Sequence, residues 1–187
     1  MDLLLLAVVV SPAVVFLLLS LLWLLGVELA ERWTARVTCT VGLFTALGCG
    51  WLAWNLLATQ TPISWTGSTW FRAGEYEFAL DLVADRLSIP LMTLSAVLTG
   101  LVGAFSRKYL HRDAGYQRFY VLLNLFSFGF LLALSAGSFD LLIGGWELVG
   151  ISSTLLVAFF YQRPDPVRGS AYVYSMYRIG DLGLLLG

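Results

Sequence analysis

The chain has 187 residues, 59% hydrophobic and 12% charged, with a net charge of −1 and a mean hydropathy of +0.82. Soluble domains carry about 45–50% apolar and about 25% charged residues, so this composition excludes an ordinary soluble fold and indicates an all-α polytopic membrane protein. No basic stretch is dense enough to make nucleic acid a partner.

Apolar runs of about 20 residues can cross a hydrocarbon core of ~30 Å, and the chain contains about six of them. Leu3–Val27 is the first. It has no basic region ahead of it and is longer than the apolar core of a signal peptide, so it reads as a span. The polar connector Glu28–Arg36 leads to the second span, Val37–Ala58. The long section Thr59–Arg86 follows, rich in Trp, Thr and Gly. Within it Tyr76, Phe78, Leu80 and Leu82 alternate with Glu77, Ala79 and Asp81, which predicts a short strand or β-hairpin in this second connector. Leu87–Phe105 is the third span, with Pro90 in its first turn. Ser106–Arg118 is polar and basic, Phe119–Ala136 is the fourth span, and Gly137–Asp140 is a tight connector into the fifth, Phe139 to about Tyr161. Pro164 and Pro166 predict a break over Gln162–Arg168. The sixth run starts near Gly169 and is still apolar at Gly187, which reads as a portion of a longer protein.

Basic residues orient the spans. Arg32, Arg36, Arg107, Lys108, Arg112, Arg118, Arg163 and Arg168 fall on one side, and only Arg72 and Arg86 on the other. The rule that positive loops stay inside predicts a cytoplasmic basic side, with the N-terminus and Thr59–Arg86 outside. Trp23, Trp33, Trp51, Trp54, Trp65 and Trp70 lie near span ends, as an interfacial belt would. His111 reads as a solvated loop residue. Cys39 and Cys49 are ten residues apart, about 15 Å along a helix, too far for a disulfide or a shared metal. No cysteine or histidine cluster for iron–sulfur, haem or zinc exists, and no glycine-rich nucleotide loop, so no cofactor is expected in this chain.

Three ionisable residues lie well inside spans: Glu147 in the fifth, Arg178 and Asp181 in the sixth. Glu147 is about 12 Å in from the outer end of its span, and Arg178 about 13 Å in from the inner end. Each would cost about 2.5–3.5 kcal/mol facing lipid, so they are expected to face protein or trapped water. Arg178 and Asp181 are spaced i, i+3 and can pair on one helix face. Gly144, Gly145 and Gly150 are expected to let helices approach closely, and Ser152, Ser153 and Thr154 to offer hydroxyls. Burial favours a neutral carboxyl and a neighbouring cation favours the carboxylate, a balance suited to moving a proton. Two readings remain open from the residues: a proton site, or a Glu147–Arg178 pair that only staples two helices.

Four stretches are familiar in their order and spacing: DRLSIPLMTLSAVLTGLVGAFSRKYL from Asp85, GYQRFYVLLNLF, LLIGGWELVGISSTLLVAFFY and YRIGDLG. Together they resemble the antiporter-like subunit L (chain 5) family of NADH–quinone oxidoreductase, respiratory complex I. The wider superfamily includes the large subunit of multi-subunit cation/proton antiporters and a transporter partner in bacterial inorganic-carbon uptake. The match covers Asp85–Gly187; before that only the hydropathy pattern agrees. The resemblance implies a proton-translocating membrane subunit with no redox centre of its own, working with other membrane subunits in a bacterial inner membrane or an equivalent energy-coupling membrane. The alternative it leaves open is an antiporter or proton-coupled inorganic-carbon uptake subunit. By apolar runs and charge, residues 1–86 are expected to form two N-terminal helices plus an outward connector, and the resemblance implies that 87–187 begin the antiporter-like channel domain. The family's functional glutamate matches Glu147, with Arg178 and Asp181 as its charge-tuning pair. The lysine that the family places on the next, interrupted helix lies outside these 187 residues.

Overall fold

A computed structural model describes residues 2–27, 29–74 and 76–186, and the side chains of these except 68–71, 73, 76 and 77. The belt position Trp70, the alternating pair Tyr76 and Glu77, and the end of the sixth run at Gly187 therefore have side chains or positions outside the described residues.

The elements in chain order are α1 (Asp2–Leu24), α2 (Glu31–Thr59), β1 (Ile63–Ala73), β2 (Tyr76–Ala84), α3 (Ser88–Tyr109), α4 (Tyr116–Leu134), α5 (Phe139–Val157) and α6 (Pro164–Leu186). Five of these helices, α1 to α5, are long and apolar enough to cross a membrane. The sixth, α6, is as long as α1 at 23 residues but carries Asp165, Arg168, Arg178 and Asp181.

Helix ends depart from the apolar runs for local reasons. α2 begins six residues before Val37 because Glu31–Arg36 continues the helix into the polar region, with Glu31 in its first turn. α3 likewise runs on through Arg107 and Lys108, basic residues that suit a helix C-terminus. The expected break at Pro164 and Pro166 is instead the first turn of α6, where a missing N–H costs nothing. The turn between α5 and α6 is therefore confined to residues 158–163.

The hairpin is longer than predicted. β1 and β2 are antiparallel from Ile63 opposite Ala84 to Ala73 opposite Tyr76, with irregularities near Thr69. Gly74 turns the chain at φ +64°, a conformation glycine adopts without strain. The hairpin is tied to the α4–α5 connector by Val83 N–H to the Ser135 carbonyl at 2.8 Å and Gly137 N–H to the Asp81 carbonyl at 2.7 Å. Trp65 packs half-buried against the core under this hairpin, so it is not part of a belt, whereas Trp23, Trp33, Trp51 and Trp54 are exposed.

At the opposite end the other three connectors meet. Gln117 Nε2 donates to the Leu19 carbonyl at 3.3 Å, and Arg118 Nη2 to the Phe159 carbonyl at 2.8 Å. Glu31, ahead of the apolar part of α2, accepts from Arg112 N–H at 2.8 Å and lies 2.6 Å from His111 Nδ1. The hydrogen bond from His111 holds the Glu31 carboxyl below the usual carboxylate range, helped by the Arg112 N–H. His111 is thus exposed, as expected, but paired.

The core has two apolar clusters. One, below the hairpin, joins Leu5, Val8, Leu52, Ile89, Met92 and Leu131; the other, towards the basic end, joins Val15, Leu19, Leu110, Tyr120 and Leu123. Between them α1 to α4 bury a polar layer that includes Thr38, Thr45, Thr99, Asn124 and Ser127. α5 packs on the outer face of α4, and α6 on α5.

Candidate functional site

Ser138 starts α5 by accepting the Leu141 N–H on its hydroxyl at 3.4 Å, in extended backbone conformation. From that start the helical period divides α5 into two faces. Gly145 and Leu148 face α4, where a Cβ on Gly145 would lie 2.5 Å from Ala133 N and 2.8 Å from the Gly129 carbonyl oxygen. Trp146, Glu147 and Gly150 face α6. The Tyr177 ring sits where a side chain on Gly150 would be, so this glycine is the seat of the α5–α6 contact. Gly144, expected to join such contacts, meets nothing within 4 Å, because it points away from both partner helices.

On that contact the three predicted residues come together. Arg178 binds both carboxylate oxygens of Glu147, Nη1 donating to Oε1 at 2.9 Å and Nη2 to Oε2. Its Nε approaches Asp181 Oδ2 at 3.1 Å, one helical turn on. Both of those atoms are buried without an aligned hydrogen bond, so this approach is a charge contact. The side chains of Glu147 and Arg178 are about a third exposed, 32% and 36%, whereas Asp181 is 11% exposed.

Two residues of the site escape sequence reasoning. Trp146 donates its indole N–H to Asp181 Oδ1 at 2.9 Å. Tyr177 stacks on Trp146 with ring centroids 5.2 Å apart, and its hydroxyl donates to the Trp146 carbonyl. The Arg178 guanidinium also lies over the Tyr174 ring at 5.1 Å. Aromatic residues are ordinary in membrane helices, so only their positions beside Glu147 and Arg178, in GWE and YR, could have marked them. Ser152, Ser153 and Thr154 spend their hydroxyls on their own helix, on the carbonyls of Leu148 and Gly150 at 2.6–3.1 Å. They leave the charged residues to Trp146 and Tyr177.

Chemically the site is two carboxylates around one guanidinium, formally one negative charge in excess when all are ionised. One added proton neutralises it. Among the described residues no group of three or more His, Cys, Asp and Glu could hold a metal ion.

Five membrane-length helices indicate an integral membrane protein, and the Glu147–Arg178–Asp181 cluster joins the fifth of them to α6. Residues 70–120 match the family described as NADH-ubiquinone oxidoreductase (complex I), chain 5 N-terminus. The chain is 28% identical over 88% of its length to NADH-quinone oxidoreductase subunit L of Neisseria meningitidis, covering 25% of that protein. It is 35% identical over 64% of its length to subunit L of Mycobacterium tuberculosis, covering 19%. To the chloroplastic NAD(P)H-quinone oxidoreductase subunit 5 of Nephroselmis olivacea it is 33% identical over 72%, covering 20%. The chain is thus similar over most of its length to subunit L (chain 5) of NADH–quinone oxidoreductase, and it spans a quarter or less of the length of these curated relatives.

Proposed function

We propose that this chain carries the first proton-handling station of a proton-translocating membrane subunit of NADH–quinone oxidoreductase. Glu147 takes up and releases the proton, and Arg178 and Asp181 set the charge it responds to. Residues 1–86 supply two N-terminal helices and an outward connector, and residues 87–187 open the antiporter-like channel domain. The basic end faces the cytoplasm and the N-terminus faces outward. The partners are other membrane subunits of the complex, which lies in an energy-coupling membrane. Redox chemistry belongs to other subunits, and this chain contributes to the translocase without a cofactor of its own.

The observation that carries the reading is the Glu147 carboxylate held by two nitrogens of Arg178, beside Asp181 and about midway along a membrane-length helix. Ionisable groups at such depth mark ion or proton paths more often than not. The test is Glu147→Gln in the full-length subunit, assembled and reconstituted in vesicles. Assembly and electron transfer are expected to persist while coupled proton pumping falls. Pumping at the wild-type level would leave Glu147 as a helix staple.

A further inference from the structure

The polar layer between the two apolar clusters contains a small cavity where α1 to α4 meet. Its walls include Pro12, Thr38, Cys39, Thr99, Asn124 and Ser127. Thr38, Thr99, Asn124 and Ser127 are each more than nine-tenths buried. Asn124 spends both amide protons, on Thr38 Oγ1 at 3.0 Å and on the Tyr120 carbonyl at 2.7 Å, which leaves its Oδ1 without a donor among the described residues. Thr38 accepts that bond and has no acceptor there for its own proton. The Thr99 and Ser127 hydroxyls form no hydrogen bond with any described residue. Unlike them, Thr45 is satisfied inside α2, by the Gly42 carbonyl at 2.8 Å.

Four buried polar groups with unused hydrogen-bonding capacity thus line one space. That space offers about 10 Å³ to the centre of a water molecule, close to the ~10–15 Å³ that one bound water needs. A water with two to four polar partners is stable in such a place, whereas a buried hydroxyl left unpaired costs its full desolvation.

We infer that Thr38, Thr99, Asn124 and Ser127 form a binding site for one resident water molecule, which joins α2, α3 and α4 in the middle of the bundle. The water donates to Asn124 Oδ1 and accepts from the Thr38 hydroxyl, and the Thr99 and Ser127 hydroxyls complete its shell. Ser127 lies two residues from Gly129, whose Cβ position would be 2.7 Å from Leu148 Cβ, next to Glu147. The water and the charged trio therefore occupy similar depths on two sides of α4. The water fixes the inner face of the helix on whose outer face α5 is packed.

Thr99→Val tests this in the full-length protein, because it is nearly isosteric and breaks no bond to a described residue. With a resident water, the substitution removes one of its partners, and the melting temperature is expected to fall by about 2 °C or more. In a dry site the same change deletes an unpaired buried hydroxyl, so an unchanged or raised melting temperature overturns the inference. A density map of the wild-type protein in lipid nanodiscs, at a quality that shows other buried waters, gives the second readout. A peak within hydrogen-bond distance of Asn124 Oδ1 and at least one of the three hydroxyls supports the site, and its absence rejects it.

Discussion

Gly145→Ala tests the packing that places Glu147. The new methyl carbon would lie 2.5 Å from Ala133 N, 2.8 Å from Ala133 Cα and 2.8 Å from the Gly129 carbonyl oxygen. Ordinary contacts lie near 3.5–4.0 Å, so α4 and α5 must part by about 1 Å. All three obstacles are backbone atoms and cannot rotate away. The cost therefore belongs at the upper end of the ~1–3 kcal/mol typical of overpacking. Replacing glycine by alanine returns about 1 kcal/mol of helix propensity, leaving a net loss of about 2 kcal/mol, or about 30-fold in the folding equilibrium. Gly144→Ala is the control, since a side chain there meets nothing within 4 Å; it should be neutral or gain up to about 1 kcal/mol. Thermal unfolding of the two purified variants in the same lipid environment measures the difference. If Gly145→Ala melts at or above the wild type, or falls no further than Gly144→Ala, the close approach of α4 and α5 is refuted.

Tyr177→Phe keeps the ring on Trp146 and removes its hydroxyl bond to the Trp146 carbonyl; a loss of about 1 kcal/mol is expected in thermal unfolding. Asp181→Asn retains an acceptor for the Trp146 indole and removes the excess negative charge of the trio. Lowered pumping with normal assembly in vesicles is the outcome expected if that charge tunes Glu147. Asp85 accepts the Ser88 and Leu87 N–H groups at 2.7 and 2.9 Å, and these bonds, Ser88's first, hold its carboxyl below the usual range. A depressed folded-state pKa contributes stability above the unfolded value that is lost as pH falls through the folded one. Acid should thus loosen the start of α3 in the wild type, and Asp85→Asn should remove that pH dependence, read as amide exchange at Leu87–Ile89.

The number of helices was legible because hydrocarbon thickness imposes run lengths that soluble packing does not. Their ends were less so, since helix continues into polar water-side sequence wherever residues such as Glu31 or Lys108 suit a terminus. The second strand was visible from its alternation. β1, ISWTGSTWFRA, is harder to read because small and hydroxyl residues interrupt its apolar ones along the sequence. Within the site, charges against an apolar background single out Glu147, Arg178 and Asp181. Pairing across thirty-one residues, and the indole that holds Asp181, depend on how α5 and α6 face each other. The same limit separates Gly144 from Gly145: neighbours in sequence, they point to different sides of one helix.

The geometry assigns different parts to the two carboxylates around Arg178. Asp181 is the more buried and is anchored twice, by the Trp146 indole N–H and by the guanidinium Nε. Trp146 is itself held by Tyr177, which rests on the glycine seat at position 150. That chain of contacts fixes Asp181 whatever Glu147 does. Glu147 is about a third exposed, and among the described residues only Arg178 binds its carboxylate. A pure staple needs one carboxylate for one guanidinium; the second, immobile one keeps Arg178 compensated when Glu147 is neutral. On the proposed reading Asp181 therefore lets Glu147 change its charge while the guanidinium keeps a carboxylate partner.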